Sequence, residues 1–254
     1  MSVTLQVRDL PVFSGGLDRH RAPTKIQDMC GRYSLAKESV EVTVGTHRFR
    51  RQGKARYNIA PTQRAPVIRR NAQGLVVDEL RWGLIPEWSR DEAVGFSLIN
   101  ARSETLAEKT AFRTAFRSRR CLIIADGFYE WQALGRSKQP WRFARTDCDF
   151  LMFAGLWESW SSPNEATPLE SFTVITTAPN SVVAPIHDRM PACLDQEAAE
   201  LWLEPSSPLE LLQTLLRPSP DAGWSAYRVN PIVGQARIDD PRCIEALPEQ
   251  PSLF

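Results

Sequence analysis

The sequence predicts a single α+β domain with a curved, mainly antiparallel, barrel-like β-sheet core and flanking helices. Three observations lead there. Most short apolar runs with strand character lie in the first two thirds of the 254 residues, bounded by glycine, proline and asparagine turns. Helical patterns are inserted between them. No internal repeat and no linker divides the chain, so one layered core is the simplest architecture.

The elements follow in order. Residues 1–28 have no periodic apolar pattern and contain Gly15-Gly16 and Ala22-Pro23, which reads as a flexible extension or a start assigned too far upstream. The folded domain is expected over 29–244. Tyr57 to Thr62 reads as extended, because the residue before Pro61 avoids the helical region. Val67–Arg69 and Leu75–Trp82 read as strands around an Asn71–Gly74 turn. In the second strand Val77, Glu79 and Arg81 alternate against Val76, Asp78, Leu80 and Trp82. Trp82 to Trp88 is aromatic and proline-broken, which suggests a loop with exposed apolar groups. Phe96–Asn100 reads as a short strand, followed by a helix capped by Ser103 and running to about Arg119. On it Phe112 and Phe116 share the buried face, and Arg113, Arg117 and Arg120 form an exposed stripe. Cys121–Ala125 is a continuous apolar run that fits a buried strand. Trp141–Ala144, Phe150–Trp157 and Phe172–Thr177 are further strands, with a surface loop from Ser159 to Glu170. Asp195 caps a helix through Glu204, and Leu209–Leu216 forms another. The tail 245–254 is expected to be loose.

Composition describes an ordinary soluble globular protein: 43% hydrophobic and 24% charged residues. No apolar run approaches the roughly 18–20 residues that span a bilayer, and the first 28 residues are too charged for a secretory signal. The five cysteines are scattered and form no CxxC pair, the usage of a reducing cytoplasm. Net charge is +1, yet Val42 to Val77 holds no Asp or Glu while carrying Arg48, Arg50, Arg51, Lys54, Arg56, Arg64, Arg69 and Arg70. A second basic run spans Lys109 to Arg120. Such segregation suits either a polyanion partner or two solvated basic faces.

Four residues stand in settings that suit chemistry. If Met29 is the true start and is removed, Cys30 becomes a free N-terminus with an amine and a thiol on adjacent carbons. Their reference pKa values, about 7.7–8 and about 8.5, leave both partly nucleophilic near neutrality. The amine captures an aldehyde as an imine, and the thiol closes a five-membered thiazolidine. The plain alternative is a small buried hydrophobe. His187 lies in a loop constrained by Pro185 and Pro191, and is either structural or a proton donor near neutrality. Glu130, among Phe128, Tyr129 and Trp131, either points to water or sits half-buried with a raised pKa. Asn100 either caps a helix or orients an amine. His187 and Asp188 are adjacent, so their side chains are expected to diverge. No G-x-S-x-G elbow, H-E-x-x-H, phosphate loop or paired metal-ligand spacing occurs.

Six blocks occur in order: Met29-Cys30-Gly31-Arg32-Tyr33, Tyr57-Asn58-Ile59-Ala60-Pro61-Thr62, Arg81-Trp82-Gly83-Leu84-Ile85-Pro86, Asn100-Ala101-Arg102-Ser103-Glu104, Gly127-Phe128-Tyr129-Glu130-Trp131 and His187-Asp188-Arg189-Met190-Pro191. Together they resemble the SRAP (SOS response-associated peptidase) family. The resemblance implies a monomeric abasic-site processing protein that binds single-stranded DNA and single-strand/double-strand junctions. It implies a covalent crosslink through Cys30, with Asn100 holding its α-amine, Glu130 positioning that amine and moving protons, and His187 as general acid. Arg32, Arg102 and Arg189 would grip phosphates, and Trp82 would stack on a base at the junction. No metal or organic cofactor and no membrane is implied, and the setting is the cytoplasm, at the nucleoid during DNA damage. Residues 1–28 depart from the family pattern. Either translation begins at Met29, the preferred reading, or the extension is cut autocatalytically before Cys30. A cysteine peptidase using Cys30 and His187, and a non-covalent DNA-binding module, are the rival functions.

Overall fold

The computed structural model describes residues 30–162 and 167–248; the extension 1–28 lies outside them. The strands are β1 (Arg32–Leu35), β2 (Ser39–Val44), β3 (His47–Gln52), β4 (Arg56–Ile59), β5 (Arg64–Asn71), β6 (Gly74–Trp82) and β7 (Asn100–Arg102). After the short helix α1 (Arg113–Ser118) come β8 (Arg120–Ala125), β9 (Gly127–Leu134), β10 (Ser137–Arg145), β11 (Leu151–Trp160) and β12 (Leu169–Thr177). The chain ends with β13 (Met190–Pro191), β14 (Cys193–Leu194), α2 (Gln196–Leu203), α3 (Leu209–Leu215) and β15 (Trp224–Arg228). The fold is one mostly-sheet domain with a few helices.

Its centre is a closed five-stranded barrel in the order β12-β6-β5-β8-β11, completed by pairing of β11 with β12. Closure removes free edges. All pairs in this ring are antiparallel except β6 with β12, where Trp82 opposes Phe172 in parallel. A second, antiparallel sheet runs β15-β10-β9-β1-β4. Strands β8 and β9 cross from barrel to sheet through Asp126. Its carboxylate accepts from Ser34 Oγ at 2.6 Å and from Arg142 at 2.9 Å, and this fixes the corner. Phe153 of the barrel meets Tyr33 and Phe128 of the sheet edge-on, at 6.1 and 6.3 Å between ring centres, and fuses the two layers into one core.

The all-buried pattern of β8 agrees with its continuous apolar run, since this barrel-wall strand has one face in the barrel core and the other covered by α2, α1 and β1. Asp195 caps α2 by accepting from the Ala198 amide at 2.9 Å, as its position suggests. Four expectations fail. The helix from Ser103 to Arg119 is a 3₁₀ turn at Ser103–Thr105, a run of turns, and α1 alone. The buried positions 103, 106, 112 and 116 explain this, because the gap after Leu106 breaks the helical period. Arg120 is not part of an exposed stripe: it is buried and donates to the carbonyls of Trp202, Phe116, Arg117 and Glu204. Phe96 belongs to a 3₁₀ segment, Glu92–Ser97, in place of a strand. The start of the tail is held, because Val229 bridges Ala246 and the Leu247 amide donates to the Arg228 carbonyl.

The basic runs are also less bare than they read. Arg69 is buried and clasped by Glu170 and Asp78, and Arg56 pairs with Asp239 at 2.5 Å. Acids outside the stretch neutralise these members: Asp78 on the neighbouring hairpin strand, and Glu170 and Asp239 from far along the chain. Among the described residues, no helix is long and apolar enough to cross a membrane.

Candidate active site

Five elements converge on Cys30. It lies just before β1 and is only 3% exposed. Strand β9 pairs with β1 so that Tyr129 opposes Arg32, which brings the next residue of β9, Glu130, alongside the Cys30 end of β1. Strand β7 is carried by β12, with Asn100 opposite Val174. The Asn100 Nδ2 donates to the Cys30 carbonyl at 3.2 Å. The turn after β12 supplies His187. Asn180 organises that turn, with its Oδ1 accepting from the Val183 amide at 3.0 Å and its carbonyl from Ala184 at 2.9 Å. The His187 amide then donates to the Val183 carbonyl at 3.0 Å.

Glu130 links these groups. It is 2% exposed, and its carboxylate interacts with the Cys30 thiol and backbone on one side. On the other side its Oε2 is 3.7 Å from His187 Nε2. Burial raises its pKa to about 7, although His187 and Cys30 pull the other way. Burial, then the Glu130 charge, hold the Cys30 thiol well above its ordinary value. At His187 the Arg189 amide donates to Nδ1 at 3.1 Å. The same Nδ1 stands 3.3 Å from the Arg189 carbonyl, so it accepts or donates according to the tautomer, while Nε2 faces Glu130. Asp188 Oδ1 is 3.4 Å from the same Nδ1, so the two neighbouring side chains do meet, contrary to the divergence expected from their adjacency. The chain is in a turn there, and strand alternation does not apply.

The arginines differ in availability. Arg32 lies beside Cys30, its Nη1 donating to the Gly31 carbonyl at 2.8 Å. Burial lowers its pKa, from a reference so high that it stays charged at neutrality. Arg102 is exposed. Arg189 is buried, and its guanidinium is engaged by Glu104.

Trp82 is not available to stack on a base. It is 1% exposed, its ring packs between Tyr33 and Phe172, and its Nε1 donates to the Ile99 carbonyl at 2.8 Å. The alternation of β6 carries the signal, because Trp82 is in phase with the buried Leu80. Of the apolar groups expected to be exposed in the 82–88 loop, Trp88 is, at 60%, whereas Leu84 and Ile85 are buried; Phe96 in the following 3₁₀ segment is 45% exposed and was not singled out by the sequence. The Arg81 guanidinium sits 5.8 Å from the Phe96 ring centre. Gly83, at φ +113°, lets the loop fold back, since a Cβ there would stand 2.6 Å from the Gly95 carbonyl oxygen. The Trp-Gly pair is thus an anchor that presents Trp88.

The arrangement is a buried carboxyl of near-neutral pKa, poised between the Cys30 thiol and backbone and an imidazole, beside arginines and an exposed aromatic loop. It suits proton transfer at a nucleophile on a polyanion.

Comparison with known proteins agrees. Abasic site processing protein YoqW of Bacillus subtilis is 40% identical over 224 residues, covering 86% of this chain and all of that protein. Abasic site processing protein HMCES of Gallus gallus is 32% identical over 228 residues, covering 76% of this chain and 67% of that one. A solved protein from Bacteroides thetaiotaomicron superposes with a TM-score of 0.71 at 30% identity, covering 76% of this chain and 86% of that one. The family model for SOS response associated peptidase (SRAP) matches residues 29–236, beginning one residue before Cys30, and this chain belongs to that family.

Proposed function

We propose that the protein processes abasic sites in single-stranded DNA, joining the opened sugar covalently to Cys30 once that residue is the N-terminus. The carrying observation is the Glu130 carboxylate held between the Cys30 backbone and His187 Nε2. The names of the relatives at 40% and 32% identity support the same substrate.

His187 donates a proton to the ring oxygen of the closed sugar, the bond from that oxygen to C1′ breaks, and the C1′ hydroxyl passes its proton to Glu130, leaving an aldehyde at C1′. The α-amine adds to that carbon and loses one water, giving an imine. The Cys30 sulfur then adds to the imine carbon, and the thiol proton passes to nitrogen. One C–N and one C–S bond form, and one water leaves. Glu130 takes and returns the protons, for which a pKa near neutrality is apt. The cationic amine of a processed chain would also offset the negative Glu130 beside the thiol. Asn100 holds the Cys30 carbonyl, and so aims the residue through its backbone. Arg32, Arg102 and Arg189 contact phosphates flanking the site. Trp88, in place of Trp82, stacks on a base where single strand meets duplex.

The amine must first be free. Translation from Met29 with removal of that methionine supplies it, and so does self-cleavage of the Met29–Cys30 bond. Peptidase action on other proteins is disfavoured: burial and Glu130 both oppose a Cys30 thiolate, where a cysteine peptidase needs a cation beside it.

Intact-mass analysis of protein beginning at Cys30, incubated with an abasic oligonucleotide, tests the reading. The expected product is the sum of the two masses less one water, absent from Cys30→Ala. A wild-type protein that forms no such adduct overturns it.

A further inference from the structure

Arg189 is 8% exposed, and most of its hydrogen-bonding capacity is already occupied. Its Nη1 and Nη2 donate to Glu104 Oε1 and Oε2 at 2.7 and 2.9 Å, a two-pronged pairing. Nη2 also donates to the Thr176 carbonyl at 2.5 Å. Nε is buried without a hydrogen-bond partner among the described residues. A carboxylate gripped by both prongs occupies the position a phosphate takes on an arginine fork. The two partners differ in freedom. The Glu104 side chain is 53% exposed, whereas that of Arg189 is 10% exposed and tied to β12. Glu104 can swing into water; Arg189 cannot leave.

We propose that Glu104 is an internal phosphate surrogate, a specificity-determining residue that occupies the Arg189 fork and must be displaced by a DNA phosphate. This rests on the abasic-site reading above. Its consequence is selectivity. Undamaged single strands gain little from Arg189, because the pairing they make replaces one already made. At an abasic site the bonds formed to Cys30 hold the strand while the exchange occurs. Arg102, exposed two residues before Glu104, offers an arriving phosphate its initial anchor.

The test compares wild type with Glu104→Gln, both beginning at Cys30, in binding to an abasic-free single-stranded oligonucleotide over a range of salt. Glu104→Gln is expected to bind about three- to ten-fold more tightly, the scale of one partly exposed charge pair. Its log–log salt dependence should steepen by about 0.7, one further phosphate neutralised on single-stranded DNA. A merely structural Glu104 would not move that slope. Where Glu104→Gln does not fold, Glu104→Asp serves: one methylene shorter, it cannot span both prongs and is expected to bind about two- to three-fold more tightly. Unchanged or weaker binding, with an unchanged slope, overturns the proposal. Adduct formation on an abasic oligonucleotide is measured in parallel. Wild-type crosslinking without the tightening sinks the surrogate role alone; no crosslinking and no binding sinks the abasic-site reading with it.

Discussion

Glu130 Oε2 and His187 Nε2 face each other across 3.7 Å, on a strand and a turn separated in the chain by β10, β11 and β12. Ring Nε2 faces a carboxyl whose own pKa is near neutrality. Such a carboxyl can hold or release a proton at little cost near neutrality, the property a group serving as base and then acid requires.

Replacing Glu130 by Gln should raise stability while harming chemistry. The fold favours the neutral carboxyl. That contribution is complete below the unfolded-chain value of about 4.3 and is lost as pH rises through about 7. Glu130→Gln should therefore melt above wild type at pH 8, by up to about 3 kcal/mol, and together with it at pH 4. Calorimetry at the two pH values checks this.

The same ionisation should control rate. Wild-type crosslinking is expected to increase as pH rises through about 7, where Glu130 begins to accept protons. Glu130→Gln should be slower by about 100-fold or more and should lose that inflection. Single-turnover gels across pH 5–9 would read both; an inflection that survives in the variant contradicts the assignment.

His187→Ala should slow reaction with the ring-closed abasic sugar by about 10²–10⁴-fold. An oligonucleotide carrying an aldehyde that cannot cyclise needs no ring opening, so on it the variant should approach wild-type rate. Equal losses on both substrates would place His187 elsewhere in the sequence of steps.

The two tryptophans should separate cleanly. Trp82→Ala removes a fully buried ring and should cost about 3–5 kcal/mol of stability. Trp88→Ala should leave melting nearly unchanged, within about 0.5 kcal/mol. It should weaken binding to a junction oligonucleotide by about 1–3 kcal/mol, one stacked base. Melting curves and fluorescence anisotropy on the same preparations decide it.

Arg102 is exposed, so Arg102→Ala should be silent in melting. It should lower the salt dependence of single-strand binding by about 0.7, the signature of one fewer phosphate neutralised.

How far the sequence could be read varies by residue. Cys121–Ala125 was legible because a barrel strand covered outside by helices is apolar on both faces. The Leu75–Trp82 strand was legible as a strand, and its alternation already put Trp82 with Leu80. The loop reading of Trp82 overrode that pattern, and which of the loop's apolar groups is exposed, Trp88 and not Leu84 or Ile85, leaves no trace in residue type. The helix after Ser103 failed because a local cap pattern was extended past Leu106 without a continuing period. Strand β15 had no strong local signature; pairing with β10 makes it a strand. The basic stretch from Val42 to Val77 misled for a related reason, since the acids that answer Arg56 and Arg69 lie just past its end, at Asp78, or far along the chain, at Glu170 and Asp239.

The amino-acid order by itself determined the kind of domain and the identity of Cys30, Asn100, Glu130 and His187 as candidates, because residue type and ordered blocks are local properties. Only the tertiary structure decided what those residues do to one another. Burial set the Glu130 pKa, the turn after β12 aimed His187 at it, and Glu104 came to hold Arg189. These are consequences of desolvation and distance, which arise when segments far apart in the chain are packed together.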